Sequence, residues 1–176
     1  MSDGRAQAMD VYRMWWLHDA RWYQGVASRF GQGVANEINA EALRFVATRV
    51  GKRVGKEFPG DVVAASTEQL AELYGRCSDL MFPNELRQGR TRALGEDVVE
   101  LEMKQNFAVV MVRMAGSLDG YECPCTEIHA GWTDGLGLRL AENRATACRR
   151  HGDPACQLLM RVTRHPCTEA PASAGI

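Results

Sequence analysis

Residues 99–114 read VELEMKQNFAVVMVRM, and they decide the fold class, because here the helical period of the first half of the chain stops. Val99, Leu101 and Met103 alternate with Glu100 and Glu102, which is the period of a half-buried strand. Phe107 to Met114 is rich in β-branched residues and methionine, so a second strand is expected after a tight turn at Gln105-Asn106. A sheet is therefore expected to start here.

Upstream, apolar residues recur at helical spacing. Met9, Tyr12, Trp16, Ala20 and Tyr23 predict a helix over 6–29 with an aromatic face. Phe30-Gly31 interrupts it. A second helix over 32–58, marked by Val34, Ile38, Ala42, Phe45, Val46 and Val50, ends at Pro59-Gly60, giving a helical hairpin. Ser66 and Gln69 have the spacing of a capping box and start a third helix that runs through Leu70, Leu73, Tyr74 and Leu80 towards Pro83.

Downstream, Ile128, Trp132, Leu136 and Leu140 predict a helix over 121–141 despite three interior glycines. Residues 145–150 and 157–163 read as strands flanking the turn His151-Gly152-Asp153-Pro154. The expected architecture is α+β: N-terminal helices packed on a small antiparallel sheet, with a cysteine metal site in the C-terminal part. Residues 1–164 are expected to form a single domain, and 165–176 a disordered tail.

A chain of 176 residues can bury a sizeable core, and its 22 acidic and 21 basic side chains are scattered. That balance argues against nucleic acid as a partner. No apolar run approaches the roughly 20 residues that span a bilayer, and MSDGRAQAMD lacks the apolar core of a signal peptide. A cytoplasmic protein with no membrane partner is the expectation. In a reducing compartment, six cysteines are better read as thiols, metal ligands or catalytic groups than as disulfides.

Cys123 and Cys125 flank Pro124, while Cys148 and Cys156 flank the predicted hairpin turn. Four thiolates from two short loops suit tetrahedral zinc, although a standard zinc ribbon has two-residue gaps within each pair, so ordinary buried thiols are an even alternative from spacing alone. His129 or Glu142 could replace one cysteine. Three protein ligands plus water would make the site catalytic, whereas four would make it structural. Cys77 and Cys167 stand apart as bystanders.

On a helix Trp15, His18, Asp19 and Trp22 share one side and could wall a pocket. Trp15 and Trp22 would stack on a planar ligand while His18 and Asp19 handled protons. The plain alternative is a core helix whose tryptophans only pack. Asn36 and Asn39 fall within one turn of the second helix, where side-chain hydrogen bonds into the fold or to a ligand would explain them.

Two stretches carry a family resemblance: WWLHDARWYQGVASRFGQGVANEINAEALRF near the start, and YECPCTEIHAGW with CRRHGDPACQLLMRV near the end. Together they resemble a bacterial family of unknown function with a Trp- and Asp-bearing first helix, an Asn-containing second helix and three C-terminal cysteines. Its pattern falls on Asp19, Trp22, Asn36, Asn39, Cys125, Cys148 and Cys156, with Cys123 additional. More distantly, the C-terminal part resembles the vinyl reductase domain, the ligand-sensing domains of phenol-responsive activators, and the aminothiazoline carboxylate hydrolase-like family. The likeness to the vinyl reductase and phenol-sensing domains implies zinc held by cysteines and a glutamate. Glu142 does not stand at the spacing of that glutamate, which leaves the fourth ligand open among Cys123, His129 and Glu142.

Two functions are therefore expected to compete. One is a zinc-containing small-molecule enzyme, hydrolase or lyase, with His18 and Asp19 at the substrate. The other is a zinc-braced small-molecule-binding or sensory module without catalysis. A third reading makes the aromatic face a homodimer contact.

Overall fold

The computed structural model describes residues 3–164. The tail expected over 165–176, with Cys167, lies outside the described residues. Helix α1 (Asp3–Phe30) and helix α2 (Gln32–Glu57) form the hairpin. Gly31 joins them at φ 89°, a left-handed value that a side chain rarely adopts. A short 3₁₀ turn (Val62–Ala64) leads to α3 (Thr67–Met81). The capping box forms there as expected: Ser66 Oγ accepts from the Gln69 backbone N–H, and the Gln69 side chain accepts from the Ser66 N–H.

After the single turn α4 (Asn84–Arg87) come β1 (Gly89–Gly95) and β2 (Val98–Met103), then α5 (Phe107–Met114), α6 (Cys125–Gly135), β3 (Arg139–Ala147) and β4 (Cys156–Thr163). The four strands form one antiparallel sheet in the order β1-β2-β4-β3. Helix α3 packs on β1 and β2, and α6 lies between α2 and β3. The expected α+β class is observed, with the N-terminal helices against an antiparallel sheet.

Three expectations about elements need correction. Phe107 to Met114 is a helix, not a strand. The Asn106 side chain caps it by accepting from the Val109 N–H, and Val109 and Val112, three residues apart, are buried while Val110 and Met114 are exposed. β2 pairs instead with β1, a segment whose Arg90, Thr91 and Arg92 gave no apolar signal. The helix expected over 121–141 is shorter, Cys125–Gly135, and the following strand begins at Arg139 rather than 145. Gly137 at φ 77° makes the break between them.

The core is continuous from α2 and α3 to the inner face of the sheet, with Leu70, Leu73, Tyr74, Val99, Trp132, Leu158 and Met160 almost wholly buried. The α2–α6 seam is closer than side chains would allow. A Cβ on Gly131 would lie 2.6 Å from the Arg44 carbonyl oxygen and 2.8 Å from the Ala47 Cβ, and Gly51 and Gly135 meet opposing backbone in the same way. On α1 the seam is looser, and a cavity opens.

Candidate functional site

The cavity, about 150 Å³, lies between α1, the end of α3, the β2 end of the sheet and α6. Trp16, Phe82, Phe107, Ile128 and Trp132 form its walls, with Leu101 and Leu158 from the sheet as its floor. Trp16 sits 5.0 Å from Phe107 and 5.8 Å from Phe82 between ring centroids, so this part of α1 is held by aromatic contact rather than by close backbone packing. Few polar groups reach the cavity, among them Asp19, Asn39, Asn106 and His129.

The sequence-predicted residues divide. Asp19 lines the cavity together with Cys123 and Cys125. His18 does not: its side chain is 66% exposed, stacked on Trp15 at 5.5 Å and 3.4 Å from the Asp19 carboxylate. Trp15 and Trp22 also face outward, 62% and 48% exposed. Trp15, His18 and Trp22 thus share a face as expected, but it is the outer one. Asp19, one residue or 100° further round, reaches the edge of the cavity while its side chain stays 53% exposed.

The two asparagines have separate fates. Asn39 lines the cavity, whereas Asn36 is buried and bonded into the fold: it accepts from Tyr23 Oη at 2.6 Å and from the Glu122 N–H at 3.1 Å, and donates to the Gly120 carbonyl at 2.8 Å. Asn36 ties α1 and α2 to the segment before Cys123. Its role is positioning.

Cys123 and Cys125 line the cavity, and Cys156 is linked to them through Asn106. Cys123 Sγ and Cys125 Sγ are 2.9 Å apart, and the Asn106 amide donates to Cys123 at 3.8 Å and to Cys156 at 3.7 Å. Hydrogen bonding from Cys125 holds the Cys123 thiol down at about 7, and the same bond, with burial, pushes Cys125 well above the usual thiol range. Burial also raises Cys156, with Cys148 and Cys123 adding to it. Cys148 follows β3 and Cys156 opens β4, across the turn in which Gly152 has φ 96° and the Asp153 carboxylate accepts from the Cys148 N–H at 2.7 Å. Cys77 is apart, buried on α3, where burial raises its thiol to about 12.

By chemistry alone, four thiols suit zinc. Among the described residues, however, no group of three or more His, Cys, Asp or Glu side chains stands ready to hold one ion. Glu142 is bound up elsewhere, on β3 with Arg144 at 2.6 Å and Arg161 at 3.7 Å. His129 is buried and stacked on Trp132 at 5.2 Å, and burial pushes it down to about 4, so it is neutral at pH 7. Its Nδ1 is sealed in with no hydrogen-bond partner among the described residues.

Sequence reasoning missed Trp16, Phe82, Tyr121 and Asn106 as site residues. Trp16 was visible in the Met9-Tyr12-Trp16-Ala20-Tyr23 spacing, which marks the inward face of α1. The strand assignment of 107–114 concealed Asn106, whose cap is what brings it beside the thiols. Arg87 also lines the cavity, only 4% exposed, with Nη2 on Asp79 at 2.6 Å and Nε on the Phe82 carbonyl at 2.9 Å.

No known family's sequence profile matches this chain, and no curated protein sequence does. Among solved structures, it is similar to a trafficking protein particle complex subunit 3 from Naegleria fowleri, crystallised covalently bound to palmitic acid. That likeness has a TM-score of 0.53 at 12% identity and covers 85% of this chain and 98% of the other. What the two share is the fold.

Proposed function

We propose that this domain is a small-molecule-binding module that takes a compact, largely apolar ligand into the cavity beneath α1. The cavity itself carries the reading: aromatic walls with a few convergent polar groups are what a small-molecule site needs. Support comes also from the fold, since the Naegleria subunit of the same fold holds palmitic acid. Size limits the ligand, because about 150 Å³ is the scale of a cavity that holds a single benzene-sized ring and lies below the usual ligand-pocket range. A ring or short branched chain fits this volume better than a long acyl chain does.

Indole or benzene, titrated into the whole protein and followed by NMR, should perturb signals from Trp16, Ile128 and Trp132. Ala20→Leu, which fills the cavity from α1, should abolish those perturbations. No perturbation, or equal perturbation in the variant, would sink this reading.

Zinc is proposed as a brace and not as a reagent. Cys123, Cys125, Cys148 and Cys156 would hold it and fix the β3–β4 turn against α6, and elemental analysis should find about one zinc per chain. Cys148→Ser and Cys156→Ser should each remove it, while Cys77→Ser should not. Free or metal-bound thiols fit the cytoplasm, the location we propose. Among the described residues no helix is long and apolar enough to cross a membrane.

One observation favours a second reading, an enzyme of hydrolase or lyase type: Asp19 shares the cavity with the Cys123–Cys125 pair. In that reading Asp19 alone takes the acid-base role expected of His18 and Asp19 together. Turnover of aromatic or thiazoline-like compounds that is lost in Asp19→Asn and kept in His18→Ala would support it.

A further inference from the structure

His129 Nδ1 on α6 and Asn143 Oδ1 on β3 are both buried without a hydrogen-bond partner among the described residues. Such orphans need a reason. Asn143 is also the neighbour whose hydrogen bonding favours a proton on His129, against the pull of burial, so the two side chains answer to each other. The amide is already oriented. Its Nδ2 donates to the Thr126 carbonyl at 2.7 Å, which leaves the oxygen for the imidazole, and an amide oxygen only accepts. A neutral imidazole carries hydrogen on one nitrogen and a lone pair on the other. Hydrogen on Nδ1 gives both orphans a partner at once, whereas hydrogen on Nε2 sets two lone pairs against each other.

We infer that Asn143 fixes His129 in its Nδ1–H form, and that Nε2 is thereby the hydrogen-bond acceptor of the cavity, suited to a ligand whose polar group is a ring N–H of the pyrrole or indole kind. The inference rests on the ligand cavity proposed above and names the class of ligand. His129 lines that cavity and is only 3% exposed, so an acceptor there faces a space nearly free of water, where an unmade hydrogen bond is costly. Stacking on Trp132 at 5.2 Å holds the ring in place, and the Trp132 N–H cannot serve it, because it points at the Met81 sulfur at 3.1 Å.

The chemistry of the walls selects among donors. Leu101, Ile128, Trp132 and Leu158 surround the acceptor with apolar surface. A pyrrole-type N–H has no free lone pair, since the nitrogen's electrons belong to the ring, so one acceptor satisfies it completely. A hydroxyl brings lone pairs that such walls leave unpaired, and a carboxylate would meet a lone pair instead of a proton.

Indole and benzofuran have nearly the same shape and differ in an N–H against a ring oxygen. Calorimetric titration of the whole protein should find indole bound about tenfold more tightly or better, the worth of one neutral hydrogen bond in a dry site. Pyrrole against furan repeats the comparison with smaller rings. His129→Phe, with its fold checked by circular dichroism, should bring indole and benzofuran within about twofold of each other. A second measurement needs no variant: nitrogen-15 NMR of the wild-type imidazole at pH 7 should show Nδ1 protonated and Nε2 bare, with the Nε2 signal moving on addition of indole and staying put with benzofuran. A protonated Nε2, equal affinity for the paired rings, a preference kept in His129→Phe, or phenol bound more tightly than indole would each overturn the inference and leave the cavity standing. Binding of none of these rings would end the cavity reading and this one with it.

Discussion

The two helices of the N-terminal hairpin meet the rest of the molecule in opposite ways. Helix α2 runs against α6 with glycines at the crossing, so backbone lies on backbone and no space is left. Helix α1 is held off by Trp16, Phe82 and Phe107, and the difference in standoff is the cavity. Close packing and a binding space are thus built from the same hairpin by choosing glycine on one side and large aromatic rings on the other. One seam fixes the fold, and the other is free to admit a ligand.

The contrast can be broken most severely at the close seam. Gly131→Ala places a methyl group against the Arg44 carbonyl and Ala47, neither of which is the flexible end of a long chain. It should cost about 3 kcal/mol or more, read by denaturant unfolding, because overpacking of this kind forces backbone to move. A loss below 1 kcal/mol would show that the helices can part easily.

His129 on α6 sharpens the comparison through pH. Its folded value near 4 lies below the 6.5 of an unfolded histidine, so the unfolded state binds the extra proton between those values. Stability is therefore complete above pH 6.5 and falls as the pH drops towards 4, by about 3 kcal/mol in total for this one group. Unfolding measured at pH 7 and pH 4.5 should show that slope in the wild type and a flatter one in His129→Phe. Equal slopes would mean that the imidazole is not held neutral.

At the looser seam, Asn36→Ala leaves Tyr23 Oη, the Gly120 carbonyl and the Glu122 N–H without their partner and should cost about 2 kcal/mol in chemical denaturation. The smallest stability effect should come from Ala20→Leu, under about 1 kcal/mol, because the added carbons enter space already present. That variant should nonetheless lose ligand binding. A large destabilisation there would mean that α1 packs as tightly as α2.

The hairpin, the Ser66 cap and the C-terminal strand pair were legible in the sequence because each rests on a local rule: apolar spacing, a side chain reaching three residues ahead, a Gly-Asp turn. Phe107 to Met114 was not, since β-branched residues favour strands and only the Asn106 cap and the alternation of burial around Val109 and Val112 reveal the helix. The outward turn of His18 was hidden for a different reason. Neighbouring helical positions differ by 100°, so whether Trp15 or Trp16 faces inward depends on what the rest of the chain brings to α1. The two cysteine pairs were visible as spacing, but the amide of Asn106 between Cys123 and Cys156 is a tertiary fact that spacing does not contain.

The central strand pair has a consequence for the rate at which the molecule becomes competent. Val98 pairs with Arg161 and Met103 with Cys156, so closing the middle of the sheet joins segments roughly 50–60 residues apart, whereas the helical hairpin forms from neighbours. Local pairs form fast and distant ones slowly. Leu158 on β4 lies in the cavity floor, so the cavity is finished only when this last strand docks. During synthesis and refolding alike, capture of ligand should lag behind helix formation and keep time with the arrival of β4.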